Sequence, residues 1–188
     1  MSNAQEVLDF WFDPTHEAFW FERDDAFDAA IRARFGALHE RAARGELDAW
    51  AAQPQGWLAL LIVLDQFSRN LYRGDRRAFD CDARAQQLAL HGLDQGFDQA
   101  LPPHWRAFAY LPLEHAEDAS LQERCLDLFG KLHLAHPDVP LYANYVDYAR
   151  RHGAVIERFG RFPHRNTVLG RTSTPEEAHY LAQPGSGF

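Results

Sequence analysis

Two stretches far apart in the chain place arginine and amide groups in similar patterns. Leu64-Asp65-Gln66-Phe67-Ser68-Arg69-Asn70-Leu71-Tyr72-Arg73-Gly74 is the first. Arg161-Phe162-Pro163-His164-Arg165-Asn166-Thr167-Val168-Leu169-Gly170 is the second. Each carries an aromatic residue, then Arg-Asn, then three residues and a glycine. Such groups are costly to bury without partners, so two similar clusters suggest one shared polar site. In the first, Asp65 and Arg69 are four apart and share a face if the helix continues through Phe67. One reading makes Arg69 an anchor for an anionic ligand, oriented by Asp65. The other is a helix-end network in which Asp65 pairs with an arginine and Asn70 caps a turn. In the second, Arg161, His164, Arg165 and Asn166 lie in a turn made by Pro163. Such a turn can hold a carboxylate or phosphate. Alternatively Arg165 pairs with Asp65 or Glu114 and locks the last helices to the core.

Glu114-His115 is a third candidate, because a carboxylate beside an imidazole can handle a proton near neutrality. Adjacent helix positions point about 100° apart, so the two do not fill one small site easily. His133-Leu134-Ala135-His136, with His152 and His164, is the only hint of metal binding. No HExxH and no Cys/His pattern accompanies it, so no metal is assigned. No phosphate-binding glycine loop and no GxSxG elbow occurs, and no cofactor is expected.

The elements that position these groups read as helical. Ser2-Asn3-Ala4-Gln5 resembles a capping box before Val7 to Phe12, which Asp13-Pro14 closes. Asp24 or Asp25 caps a long helix with Phe27, Ile31, Phe35 and Leu38 on one stripe, ending at Gly45. Trp57 to Leu64 is apolar on every side and reads as a buried central helix, leaving Asp65 to Asn70 at its end. Asp80, Pro102-Pro103, Ser120 and Pro140 open later helices. The one from Pro140 is lined by Tyr142, Tyr145, Val146, Ala149, Ile156 and Phe159. Thr174-Pro175-Glu176-Glu177 opens a last short one. The expectation is an all-α fold of about eight segments in stacked antiparallel hairpins, an array of the tetratricopeptide kind. Residues 1–183 are expected to form a single domain and 184–188 a flexible tail. The aromatic run Phe10, Trp11, Phe12, Phe19, Trp20, Phe21 is expected in the core.

A net charge of -8 over 188 residues argues against a nucleic-acid partner, which needs a basic face. The N-terminal residues lack a signal-peptide pattern and no apolar run is long enough to span a membrane. Cys81 and Cys125 are the two cysteines, too few for a disulfide framework. A cytoplasmic protein is the expectation.

Val7-Leu8-Asp9-Phe10-Trp11-Phe12, Leu64 to Asn70, Tyr110-Leu111-Pro112-Leu113-Glu114-His115 and Gly160 to Asn166 resemble the markers of the bacterial domain-of-unknown-function family 924. The resemblance runs from about Val7 to about Leu181 and implies a tetratricopeptide-like helical fold. The family carries no agreed activity, so it transfers no catalytic residue. At Ser68 it more often shows proline, which puts the tightness of that turn in doubt and leaves the Arg-Asn pair in place. The favoured function is binding of a small anionic ligand by Asp65, Arg69, Asn70, Glu114, His115, Arg161, His164, Arg165 and Asn166. These are expected to converge between the central helix and the C-terminal turn. The alternative is a protein- or peptide-interaction module whose polar cluster is purely structural. No reaction follows from these residues alone.

Overall fold

The computed structural model describes residues 3–187. Among the described residues the chain is all-helical and no strand occurs. The α-helices are α1 (Ala4–Trp11), α2 (Asp25–Ala43), α3 (Pro54–Leu61), α4 (Phe67–Leu71), α5 (Asp82–Asp94), α6 (Pro103–Glu114), α7 (Ala119–Ala135), α8 (Pro140–Phe159) and α9 (Pro175–Leu181). A π-helical turn, Ile62–Gln66, joins α3 to α4, so the two make one rod.

Local sequence explains most of the helix starts. Asn3 caps α1 by accepting from the Glu6 N–H at 2.9 Å; Ser2, the other expected cap, lies outside the described residues. Asp24 caps α2 through the Phe27 N–H at 2.7 Å. Thr174 and Glu177 close a reciprocal capping box on α9. Two expected caps differ. Asp118, not Ser120, caps α7: its carboxylate accepts the Ser120 and Leu121 N–H groups, while the Ser120 hydroxyl itself donates to Asp118 at 2.6 Å. A carboxylate two residues upstream reaches both orphan donors at once, and the negative charge suits the helix N-terminus. At α5 the cap position is Cys81, with no side-chain cap bond, so Asp80 does not play that role.

Chain contacts divide the molecule into two compact units. The first runs to Arg73 and resumes from Arg77 to Pro112; the second takes Gly74–Arg76 and the chain from Leu113 onward. The crossing falls inside α6 at Pro112, whose ring has no N–H for the carbonyl one turn earlier.

In the first unit the α3–α4 rod packs against α1, α2 and α5. Trp57 through Leu64 are wholly buried, as a helix apolar all round must be. Phe10, Trp11, Phe27, Phe35 and Phe67 form a mutually packed ring cluster. Phe21, expected in the core, is 59% exposed, although its ring lies parallel to that of Phe108.

The second unit is built on the α7–α8 hairpin. At its C-terminal end Val155, Ile156 and Phe162 form a small core, with Phe159 and Tyr180 packed on it. Neither Cys81 nor Cys125 forms a disulfide. No helix among the described residues is long and apolar enough to cross a membrane.

Candidate functional site

The nine candidate residues divide between the units: Asp65, Arg69 and Asn70 in the first, the other six in the second.

In the first unit the π-turn sets the geometry. The Phe67 N–H reaches back five residues to the Ile62 carbonyl, so the rod carries one residue more than a regular helix would. Such turns recur where a helix must re-aim its side chains. Asp65, only 1% exposed, sits on this turn and lies 3.6 Å from the Arg69 guanidinium. Arg69 is held more tightly by Asp82, at 2.8 Å, and also donates to the Ala78 carbonyl. Its guanidinium lies 4.8 Å from the centroid of Phe79. Burial works against that charge, but Asp65 and Asp82 overcome it and raise the arginine pKa. Asn70 does not cap its own turn. It donates to Asp28 of α2 at 2.8 Å, and Arg73 grips the same carboxylate at 3.0 Å.

The second unit contains two polar groupings. One gathers on the Phe162 ring, which is fully buried. The Arg165 guanidinium lies 4.5 Å from its centroid, and the His152 and His164 rings lie 5.5 and 5.6 Å from it. Glu114 comes within 3.6 Å of His152 Nδ1, which donates to the Tyr148 carbonyl at 2.9 Å. Desolvation pulls the His152 pKa down to about 3, helped by the positive fields of His115, His164 and Arg165. Desolvation, then Arg165, pulls His164 down to about 4, against the opposing pull of Glu117. Glu114, His115, His164 and Arg165 are thus brought into one environment with His152. Gln122 of α7 fixes the end of α6 there, its amide donating to the carbonyls of Glu114 at 2.6 Å and Ala116 at 2.8 Å.

Arg161 and Asn166 belong to the other grouping. Arg161 clamps Glu177 with two donors, at 2.6 and 2.8 Å. Those bonds, with the Thr174 N–H, hold the Glu177 pKa down to about 2. Asn166 donates to the same carboxylate at 3.3 Å and accepts from Arg171 at 3.0 Å. Arg171 in turn forks onto Glu117 at 2.6 and 2.9 Å, and Glu117 receives the Phe162 N–H at 2.8 Å. Among the described residues no group of three or more His, Cys, Asp or Glu is placed to hold a metal ion.

The doubled signature therefore repeats a local device. In each copy a buried asparagine donates to a buried carboxylate on another helix, and an arginine grips that carboxylate: Asn70–Asp28–Arg73 and Asn166–Glu177–Arg161. In each copy the glycine takes a left-handed backbone, φ 73° at Gly74 and 67° at Gly170, which a side chain would strain. The arginine beside each asparagine lies instead against an aromatic ring.

The profile of the family described as "Bacterial protein of unknown function (DUF924)" matches residues 7–185. The chain belongs to the DUF924 family. This DUF924 protein is also similar to a solved structure, the protein of unknown function ATU0120 from Agrobacterium tumefaciens. The two are 41% identical with a TM-score of 0.86 over 95% of this chain and 96% of that one. No curated protein matches it.

Sequence reasoning weighed His152 only as a metal ligand and missed Asp28, Glu117 and Arg171 of this DUF924 site. His152 falls on the buried stripe of α8, three residues after Ala149 and four before Ile156, and Asp28 stands beside Phe27 on the buried side of α2. A polar residue on an apolar stripe was the available signal. Glu117 and Arg171 lie in connections, where periodicity carries no information. Replacing Asp65 by Asn is expected to cost about 3 kcal/mol, the low end for breaking a buried pair, because Asp82 still compensates Arg69. Urea denaturation would measure it, and a change of a few tenths would remove the stapling role of Asp65.

Proposed function

We propose that this DUF924 protein binds a small anion, through a carboxylate or phosphate group, at the His115–His152–His164–Arg165 cluster of its second unit. The observation that carries the reading is the gathering of one guanidinium and two imidazoles on the Phe162 ring. A guanidinium with little solvent around it interacts strongly with an anion in reach. The neighbouring imidazoles are neutral at pH 7, and an arriving negative charge raises their pKa values. Binding is thereby coupled to proton uptake. Glu114 and His164 are the groups placed to carry a proton, should the bound molecule react. Arg161 and Asn166 serve this site indirectly, by holding the turn that carries Arg165.

Calorimetric titration with inorganic phosphate, citrate and a sugar phosphate tests the reading. Repeating it in buffers of different ionisation enthalpy counts the protons taken up. The expected result is binding of at least one probe with net proton uptake below pH 6. Arg165→Gln should weaken it by about tenfold or more. Heat signals absent for every probe, or binding that Arg165→Gln leaves unchanged, would overturn it. The peptide-binding alternative has its own support in Leu134 and Leu141, which stand 79% and 43% exposed on the α7–α8 hairpin.

A further inference from the structure

In the first unit, the segment between α1 and α2 leaves part of an aromatic cluster uncovered. Phe21 is 59% exposed, and Phe12, Trp20 and Trp105 are half-buried. These rings form one surface around Phe108 of α6, which is itself buried. Phe12, Trp20 and Phe21 lie 5.4, 4.8 and 6.1 Å from the Phe108 centroid, and Trp105 stacks on Phe12 at 4.4 Å. Separations this short leave no room for a further ring between them, so the rings present a face and not a slot. Single exposed apolar side chains are ordinary. An exposed phenylalanine continuous with three more rings is a feature of interaction sites.

The face is held in shape before anything binds. The Trp20 indole N–H donates to the Trp11 carbonyl at 2.8 Å, and His16 Nδ1 lies 2.6 Å from the Phe10 carbonyl. Asp13 accepts the Thr15 N–H and hydroxyl, at 2.9 and 2.6 Å. A segment pinned at three points has little freedom left to lose on binding, which favours it as a docking surface.

The charge beside the face is mostly negative. From Asp13 to Asp25 the chain carries five carboxylates and one arginine. That arginine, Arg23, is already paired with Asp25 at 3.0 Å. Glu17 and Glu22 bracket Phe19-Trp20-Phe21 and are both exposed. Neither has a side-chain hydrogen bond or ion pair among the described residues. On the α6 side, Arg106 is turned to Gln99 Oε1 at 3.1 Å and to the Leu101 carbonyl at 3.2 Å. A negative rim beside an apolar face attracts cations and repels a surface of like charge.

We propose that this aromatic face docks a basic amphipathic helix of a partner protein. The apolar stripe of that helix packs on Trp20, Phe21 and Trp105. Its arginine or lysine side chains reach Glu17 and Glu22 and lie over the exposed ring faces. A second copy of this chain fits poorly. A two-fold contact would bring two acidic rims together, and each chain carries a net charge of -8. An anionic membrane surface is disfavoured by the same repulsion. The inference does not rest on the anion site of the second unit.

The probe is a fluorescein-labelled helical peptide of about 18 leucine, alanine and arginine residues with one apolar stripe. One control carries glutamate for every arginine. The other keeps the composition and shuffles the order, so the stripe is lost. Fluorescence anisotropy against the full-length chain measures affinity, and ¹⁵N spectra locate the contact. The expected result is saturable binding of the arginine peptide that moves the Phe21 amide and the Trp20 and Trp105 indole N–H resonances. Phe21→Ser should weaken it by about tenfold or more, and so should Glu17→Gln combined with Glu22→Gln. All three positions are exposed, so the far-ultraviolet circular dichroism of these variants should match the parent. The glutamate peptide should not bind. No saturable binding of the arginine peptide would overturn the proposal, as would an affinity that Phe21→Ser leaves unchanged. A shuffled peptide that binds equally well would overturn it too, by reducing the effect to net charge. Self-association of the chain, or binding to phosphatidylglycerol vesicles, that Phe21→Ser abolishes would also overturn it, since either names a different occupant.

Discussion

Lowering the pH from 7 to 5 is expected to destabilise the protein by about 4 kcal/mol, chiefly through two histidines. His152 titrates at about 3 in the folded chain and His164 at about 4. An unfolded histidine titrates near 6.5. The folded values are depressed, so the unfolded chain takes up protons first as acid is added. The stability these groups contribute is fully present above about pH 6.5 and is lost as pH falls toward the folded values. Over most of that interval each site costs about 1.4 kcal/mol per pH unit. The buried His39 is depressed for the same reason and adds in the same direction. The carboxylates act in a lower window. Glu177, held down to about 2 by Arg161, keeps its contribution above the ordinary carboxylate pKa and loses it between about pH 5 and 2. Urea denaturation at pH 7, 6 and 5 would give a slope near two to three protons. His152→Gln should remove about one of them. Stability that stays level from pH 7 to 5 would mean that these imidazoles remain accessible to protons in the folded state. An anion bound at Arg165 should flatten the slope by raising both histidine pKa values, which ties this measurement to the proposed function.

Gly92→Ala is expected to cost about 3 kcal/mol and to lower Tm by roughly 10 °C, although Gly92 lies inside α5. On an isolated helix alanine would be better than glycine by about 1 kcal/mol. Here an added Cβ would stand 2.2 Å from Trp57 Cε2 and 2.4 Å from its Nε1. Trp57 cannot yield cheaply: it is fully buried and its indole N–H donates to the Leu88 carbonyl at 2.7 Å. Gly36 supplies the control. It sits within α2 and a Cβ there meets nothing within 4 Å, so Gly36→Ala should stabilise by up to about 1 kcal/mol. Thermal melts of the two variants read the difference directly. Equal melting temperatures would show that the Trp57–Gly92 approach is looser than these distances require.

The two glycines illustrate what a sequence holds and what it omits. Both read as glycines in or near helical patterns, and nothing local separates them. The difference is a tryptophan 35 residues away in the chain, brought close by packing of α3 on α5. Helix positions were legible because apolar residues recur every three or four places and because Asp24, Thr174 and the helix-starting prolines are strong local signals. Capping at Asp118 was not, since Ser120-Leu121-Gln122-Glu123 satisfies the same pattern two residues later and only the actual bonds choose between them. The π-turn at Ile62–Gln66 was equally hidden: a run that is apolar on every side has no period from which an inserted residue can be read.

The candidate site divides along the same line. The residue types of the Arg-Asn signature determined that polar groups would lie at buried helix ends and would demand partners there, since charge cannot be buried alone. Tertiary structure alone decided which partners they take. Asn70 finds the carboxylate of Asp28, 42 residues earlier in the chain, and Asn166 that of Glu177 on the helix that follows it, so the repeated part of the signature is a repeated staple. Arg165 instead meets His152 and His164 around Phe162, a grouping set by the packing of the C-terminal turn on α8. A sequence states what must be satisfied, because each side chain carries its own donors, charges and apolar surface. It does not state by whom, because pairs that are distant along the chain are chosen by the shape of the packed helices.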